Sequence, residues 1–324
     1  MSGVDKRFLI IQTAFIGDFV LTTPVINSLN ISYGKDNVYV LARPFAKELI
    51  ENRTIEFNKD KKYLAFFKVL SELKKLKVDF AISPHLSATS ALLSFLSGAK
   101  DRIGFEESVL PFLFTKRVKK FTTAVESESQ RISRILEPLG VVPKSPYIFI
   151  DMHYVEKWQK FFKPFVKLKK VVYAPFSNWN TKSYPFWRSI LKYVPQDMLF
   201  ILIGKFENQG YTLGNYNVVD LTNKTNLKDV VAILYLSDFF FGVDNGISHI
   251  ASALSKRCFV IFGPTIPEFG FFPNFSDYKI IQRSIPCRPC SLHGTKRCPR
   301  EHFACMRTLD PKYVVEEFMK FALM

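Results

Sequence analysis

No apolar run in this sequence approaches the roughly 18 residues that a bilayer-spanning helix needs, so a transmembrane protein is excluded. Glycine (14) is sparse and proline (18) ordinary in a chain of 324 residues, far below what the collagen-like, mucin-like and low-complexity classes need. No internal repeat is apparent. Cysteine is scarce: five residues, four of them crowded late in the chain, do not make the dispersed framework of a small secreted domain. GxGxxG is missing, so a dinucleotide fingerprint is not supported. Acidic residues are in short supply, 29 against 45 lysines and arginines, leaving a net charge of +16. That surplus predicts attraction to a polyanion (nucleic acid, an anionic membrane face or a phosphorylated substrate) and does not choose among them. No RNA- or DNA-binding motif is present, so nucleic acid is set aside as a partner.

What is present reads as globular: 48% apolar and 23% charged residues. At roughly 150 residues per domain the length suggests two domains, and the pattern divides them as 1–150 and 151–324. Lys6 and Arg7 before FLIIQTAFIG superficially resemble a secretory signal, but no small-residue cleavage pattern follows and Gln12, Thr13 and Asp18 interrupt it. A strand leading into a helix is the better reading, and the chain is expected in the cytoplasm, if anything against the inner membrane.

Short apolar runs predict strands at Phe8–Gln12, Val38–Leu41 and Phe80–Ser83, alternating with helices over Phe19–Leu29, Phe66–Leu76 and Ser90–Ser97. Pro24 is placed near the start of its helix, where proline is tolerated. A second series predicts strands at Lys170–Ala174, Leu199–Gly204, Phe239–Val243 and Cys258–Phe262, with helices over Leu227–Leu236 and Ile247–Leu254. Between the series, VVPKSPY and the basic, aromatic VEKWQKFFKPFVKLKK read as the connection. The lysines around Trp158, Phe161, Phe162 and Phe165 suit an anionic interface; the competing reading is a linker helix with a core stripe. Alternation of this kind implies an α/β chain of two Rossmann-like domains, their parallel sheets facing across a cleft, with ligands at the carboxyl ends of strands.

Five strand ends carry candidate chemistry. After FFFGV come Asp244, Asn245 and Gly246, then a helix at once; freed first-turn amides there suit an anion, and His249 lies one turn in. The strand CFVIF ends in Gly263-Pro264-Thr265 at the same sheet edge. After KVVYA come Ser177, Asn178, Thr181 and Lys182, hydroxyls, amide and ammonium suited to a diphosphate; Glu207 follows LFILIG, where a carboxylate can accept a ribose's hydroxyls. At the N-terminal junction Asp18 follows Gly17 at a helix entrance, a place that keeps a carboxylate ionised and ready to act as a base. The late cluster Cys287-x2-Cys290-x7-Cys298-x6-Cys305 opens with metal-ligand spacing, so structural zinc and reduced thiols shaping a loop both stay open.

FIGDFVLTTPVINSL from Phe15, RIGF from Arg102, VDNGISHIASAL from Val243, GPT, and CRPC followed by KRCPREHFACMRTLDPKYV together resemble the ADP-heptose–lipopolysaccharide heptosyltransferases of glycosyltransferase family 9, the heptosyltransferase II branch in particular. The resemblance implies a GT-B fold, an N-terminal acceptor domain and a C-terminal donor domain. It implies inverting, metal-independent transfer of heptose from ADP-heptose to the lipopolysaccharide inner core, with no catalytic cofactor and an anionic lipopolysaccharide precursor at the membrane as acceptor. It implies Asp18 as general base, Ser177, Asn178 and Lys182 as phosphate contacts, Glu207 as ribose partner, and Asp244, Asn245, Gly246 and His249 as the donor turn. Arg43 and Arg102 are candidate acceptor contacts. Asn245 stands where the family carries Thr, Lys182-Ser183-Tyr184-Pro185 where it carries Lys-Arg-Trp-Pro, and Gln12 where many members carry Arg. These departures leave room for another nucleotide-sugar or acceptor. A non-catalytic nucleotide-sugar-binding protein is the competing class, and Asp18 argues against it.

Overall fold

A computed structural model describes residues 6–58, 62–121, 126–206 and 217–324. The chain divides into two compact units, Met1–Phe149 and Ile150–Met324.

The first unit runs β1 (Phe8–Gln12), α1 (Ile16–Tyr33), β2 (Val38–Ala42), β3 (Thr54–Glu56), α2 (Lys62–Leu76), β4 (Phe80–Ser83), α3 (Ala88–Leu96), β5 (Asp101–Phe105), β6 (Lys116–Val118) and α4 (Glu128–Ser133). Its six strands lie in the order β3-β2-β1-β4-β5-β6, and every pairing is parallel. β1, β2 and β4 are buried along their whole length, which is why each reads as a continuous apolar run. Pro24 sits in the middle of the 18-residue α1, not near its start. Proline has no N–H for the Val20 carbonyl four residues back. The Thr23 hydroxyl donates to that carbonyl at 2.7 Å and replaces the missing bond.

The second unit runs α5 (Met152–Phe162), β7 (Lys169–Ala174), α6 (Trp187–Ile190), β8 (Met198–Leu202), β9 (Val218–Asp220), α7 (Leu227–Tyr235), β10 (Phe239–Val243), α8 (Gly246–Ala253), β11 (Arg257–Phe262), β12 (Tyr278–Gln282), α9 (Ala304–Arg307) and α10 (Pro311–Leu323). The sheet order is β12-β11-β10-β7-β8-β9, again all parallel. Its core is aromatic: Phe318 of α10 stacks on Phe241 at 5.0 Å between ring centroids and meets Phe259 and Phe200 edge-on. Asp310 caps α10 through the Tyr313 amide, and Pro311 opens it where no amide is needed.

The segment expected to connect the domains belongs to this unit. α5 buries Val155, Trp158 and Phe162, one stripe at helical spacing, and packs on α7. The Trp158 indole and the Lys157 ammonium both donate to the Asp229 carboxylate, at 2.8 and 2.7 Å. The linker-helix reading with a core stripe is therefore the one that fits; of its rings, Phe161 is the one left substantially exposed.

Each sheet has one reversal of strand order, between β1 and β4 in the first unit and between β7 and β10 in the second. In open parallel sheets that reversal opens a crevice at the strands' carboxyl ends, the usual ligand seat.

Candidate functional site

In the second unit the loops after β7 and β10 meet at the reversal point. Lys182 closes a short 3-10 turn, Asn180–Lys182, and its ammonium lies 2.7 Å from the Asp244 carboxylate. The pair is secluded, with 12% of the lysine and 6% of the aspartate side chain exposed. The Thr265 hydroxyl, from the loop after β11, donates to the same carboxylate oxygen at 2.9 Å. Three strand ends thus converge on one carboxylate, which fixes the ammonium's position. His249 is buried beside them, and its Nδ1 has no partner among the described residues. Burial pushes its pKa down to about 4, the Lys182 charge adding to the shift and Asp244 opposing it. The imidazole is neutral at physiological pH, and its unpartnered Nδ1 is buried.

The expected row of freed amides is corrected. Asn245 caps α8 itself: its side-chain oxygen accepts from the Ile247 and Ser248 amides at 2.9 and 3.0 Å. Its amide group donates to the Phe176 and Ala174 carbonyls, tying the β10 loop to the β7 loop. Asn245 is therefore a clamp, and Gly246 carries the first-turn amide that the cap does not take. Ser177 is half-buried; its hydroxyl accepts the Trp179 amide at 3.3 Å and its own amide donates to Ser183. Asn178 is exposed at the same loop, and Glu207 lies outside the described residues.

The late cysteine segment braces this site. Thr181 and Thr295 exchange hydrogen bonds through their backbones and hydroxyls. Gly294, at φ +92°, lies so close that an added Cβ would stand 2.9 Å from the Lys182 stem. The Cys290 amide donates to the Pro264 carbonyl, and Arg288 donates to the Thr265 carbonyl at 2.6 Å. The structural-zinc expectation is not met: among the described residues no three histidine, cysteine or acidic side chains are grouped to hold a metal. All five cysteines are free, and burial pushes the thiols of Cys290 and Cys305 up, the latter to about 11. His302 accepts the Ala304 amide at Nδ1, so its Nε2 carries the proton toward the Cys287 sulfur, 3.9 Å away. Neither Thr265 as the partner of Asp244 nor Gly294 as the buttress of Lys182 was expected from sequence; only the GPT turn hinted at the first.

In the first unit Asp18 lies half-buried in the opening turn of α1, just past β1 and so at that sheet's reversal point. No side chain caps this helix at Phe15. Arg43, just past β2, donates to the Thr13 carbonyl at 3.3 Å and lies over the Phe15 ring, on the same edge as Asp18. Gln12 is buried and held between the Thr22 hydroxyl and the Ala14 amide, a packing role. Arg102 is removed from the acceptor candidates. It stands at the start of β5, the opposite edge of the sheet, where it donates to the Leu113 and Ala99 carbonyls and stacks on Phe95.

Two sheets in Rossmann order, each with one reversal of strand order, make the GT-B-like fold class. Comparison with known proteins narrows this: the chain belongs to glycosyltransferase family 9 (heptosyltransferase), whose family model matches residues 66–300. It is 25% identical to the lipooligosaccharide heptosyltransferase 2 of Campylobacter jejuni subsp. jejuni, over 96% of this chain and 97% of that one. The solved structure of Escherichia coli ADP-heptose lps heptosyltransferase II shares the fold with a TM-score of 0.76 at 16% identity, over 98% of each chain. That of E. coli heptosyltransferase WaaC with ADP does so with a TM-score of 0.69 at 15% identity, also over 98% of each.

Proposed function

We propose that this chain transfers heptose from ADP-heptose to the inner core of a lipopolysaccharide precursor, inverting the anomeric centre without a catalytic metal. The observation that carries the reading is the Lys182–Asp244 pair at the reversal point of the second unit, with neutral His249 beside it. The second unit is then the donor side and the first the acceptor side.

In this reading Asp18 accepts the proton of the acceptor hydroxyl as its oxygen attacks the anomeric carbon from the face opposite the diphosphate. The bond from that carbon to the diphosphate oxygen breaks, and ADP leaves with the electron pair. The negative charge that develops there meets the Lys182 ammonium, already oriented by Asp244, and the Gly246 amide. Preorganised donors of this kind are worth about 100- to 1,000-fold in rate each. His249 accepts or donates a hydrogen bond to the donor as a neutral group, and Ser177 and Asn178 line the same loop. Lys182 supplies the positive charge that a divalent ion supplies in other nucleotide-sugar transferases. Among the described residues no helix is long and apolar enough to cross a membrane, and we place the chain on the cytoplasmic side, peripheral to the inner membrane where its acceptor lies.

The test is to mix the chain with ADP-heptose and a heptose-deficient inner-core acceptor, with chelator present, and to follow ADP release and the mass of the acceptor. One heptose added per ADP released is expected. Release with a UDP-sugar but not with ADP-heptose overturns the donor assignment, and dependence on added divalent metal overturns the metal-free step.

A further inference from the structure

The basic, aromatic stretch that the sequence singled out turns most of its rings inward, yet an apolar face does stand open elsewhere, in the first unit. On α3, Leu92 and Phe95 are one turn apart and both exposed. α3 packs against the 3-10 turn Pro111–Leu113, and there Phe112 is 71% exposed; Val109, tied by its amide to the Leu86 carbonyl just before α3, is 66% exposed. Arg102 fixes the arrangement, since its guanidinium lies over the Phe95 ring while its Nε holds the Leu113 carbonyl. The strip is a held surface and not a set of stray side chains.

Its border is basic. Lys100 follows Ala99, whose carbonyl Arg102 also holds, and Arg117 pairs in register with Gly104, on the face of the sheet that Arg102 shares with α3. Both are exposed, and among the described residues neither has an acidic partner within salt-bridge distance. Large exposed rings bordered by two unpaired cations, Lys100 and Arg117, against one exposed carboxylate, Glu106, complement one kind of surface: an interface with acyl chains just below a layer of negative charge. We infer that this face of the first unit, centred on Phe95 and Phe112, docks onto anionic phospholipid. The inference goes beyond the transfer reading and does not depend on it, because docking is measured without donor or acceptor.

The test uses the full chain and sedimentation with phosphatidylcholine vesicles, with and without roughly one-third phosphatidylglycerol, at low and high salt. Binding is expected to the anionic vesicles, weakened by salt, with little on phosphatidylcholine alone. Phe95→Ser with Phe112→Ser should lower the partition coefficient at least about tenfold. Lys100→Glu with Arg117→Glu should lower it by roughly tenfold or more, since each basic group near such a surface is worth about fivefold. Phe161→Ser on α5 should leave it unchanged. The charge variant, confined to exposed residues, keeps the test decisive if the ring variant has lost its circular dichroism. Equal binding to both vesicle types, no binding at low salt, or a Lys100→Glu/Arg117→Glu variant that binds like wild type overturns the proposal. So does a wild-type dimer in size-exclusion chromatography that Phe112→Ser makes monomeric, because a second copy then covers the face.

Discussion

Replacing Lys182 by methionine tests how the donor site is held together. The substitution keeps most of the side chain's bulk and strips the ammonium from an Asp244 carboxylate 2.7 Å away. That carboxylate is 6% exposed and keeps only the Thr265 hydroxyl from this network. Deleting one partner of a buried ion pair costs about 3–5 kcal/mol, because the other charge stays behind unpaired. The lysine is 12% exposed, so some water reaches the pair, and the lower end, about 3 kcal/mol, is expected. Asp244→Asn should cost a similar amount. Removing both charges together should cost only about 1 kcal/mol, giving a coupling of several kcal/mol in the double-mutant cycle. The three tryptophans, Trp158, Trp179 and Trp187, all lie in the second unit, so urea unfolding followed by tryptophan fluorescence reads that unit alone. The stability-restored double variant should still fail to use donor, which separates holding the fold from holding the diphosphate. Single-variant losses that add in the double variant, or that stay within about 1 kcal/mol of wild type, refute the reasoning.

Asp18→Asn should lower transfer by about a hundredfold or more while leaving the ADP dissociation constant in place; a variant retaining half the normal rate removes Asp18 as the base. His249 carries a pKa pushed from 6.5 down to about 4, so the unfolded chain takes up a proton that the folded one refuses as pH falls. The second unit should lose about 3 kcal/mol between about pH 6.5 and about pH 4, and His249→Gln should flatten that slope in fluorescence-monitored unfolding. Thr23→Val leaves the buried Val20 carbonyl without the hydroxyl that replaces the proline's amide, and should cost about 1–3 kcal/mol by circular dichroism; no loss shows that α1 repairs itself. Gly294→Ala presses a methyl on the Lys182 stem at a positive φ, and weaker ADP binding by isothermal titration is expected, while an unchanged affinity shows the loop does not shape the site.

The central strands were legible because burial on both faces writes them as apolar runs. β1, β4 and β10 begin and end where FLIIQ, FAIS and FFFGV do. The edge strands were not: β3, β6 and β9 have three residues each and β12 has five, and all four are partly exposed, so no continuous buried run marks them. β5 reads Asp-Arg-Ile-Gly-Phe, too polar to announce a strand that its neighbours complete. At the candidate site, strand-turn-helix junctions pointed to loops after β7, β10 and β11 that the fold brings together, since that signal is local. What sequence could not supply was who pairs with whom: Lys182 with Asp244, Asn245 with its own helix, and Arg102 with carbonyls at the far edge. Those pairings are set by strand order, which no local pattern encodes.

The mutual bonds of Thr181 and Thr295 span 114 positions of chain. A polypeptide emerging from the ribosome at about 5–20 residues per second exposes Lys182 well before the segment that seats it exists. The Lys182–Asp244 pair therefore gains its brace late in synthesis, and a premature stop anywhere before Gly294 leaves that pair without it. A stop before Pro311 also removes α10, whose Phe318 fills the centre of the second unit's core, so the brace of the ion pair and the core are completed by the same late stretch of chain.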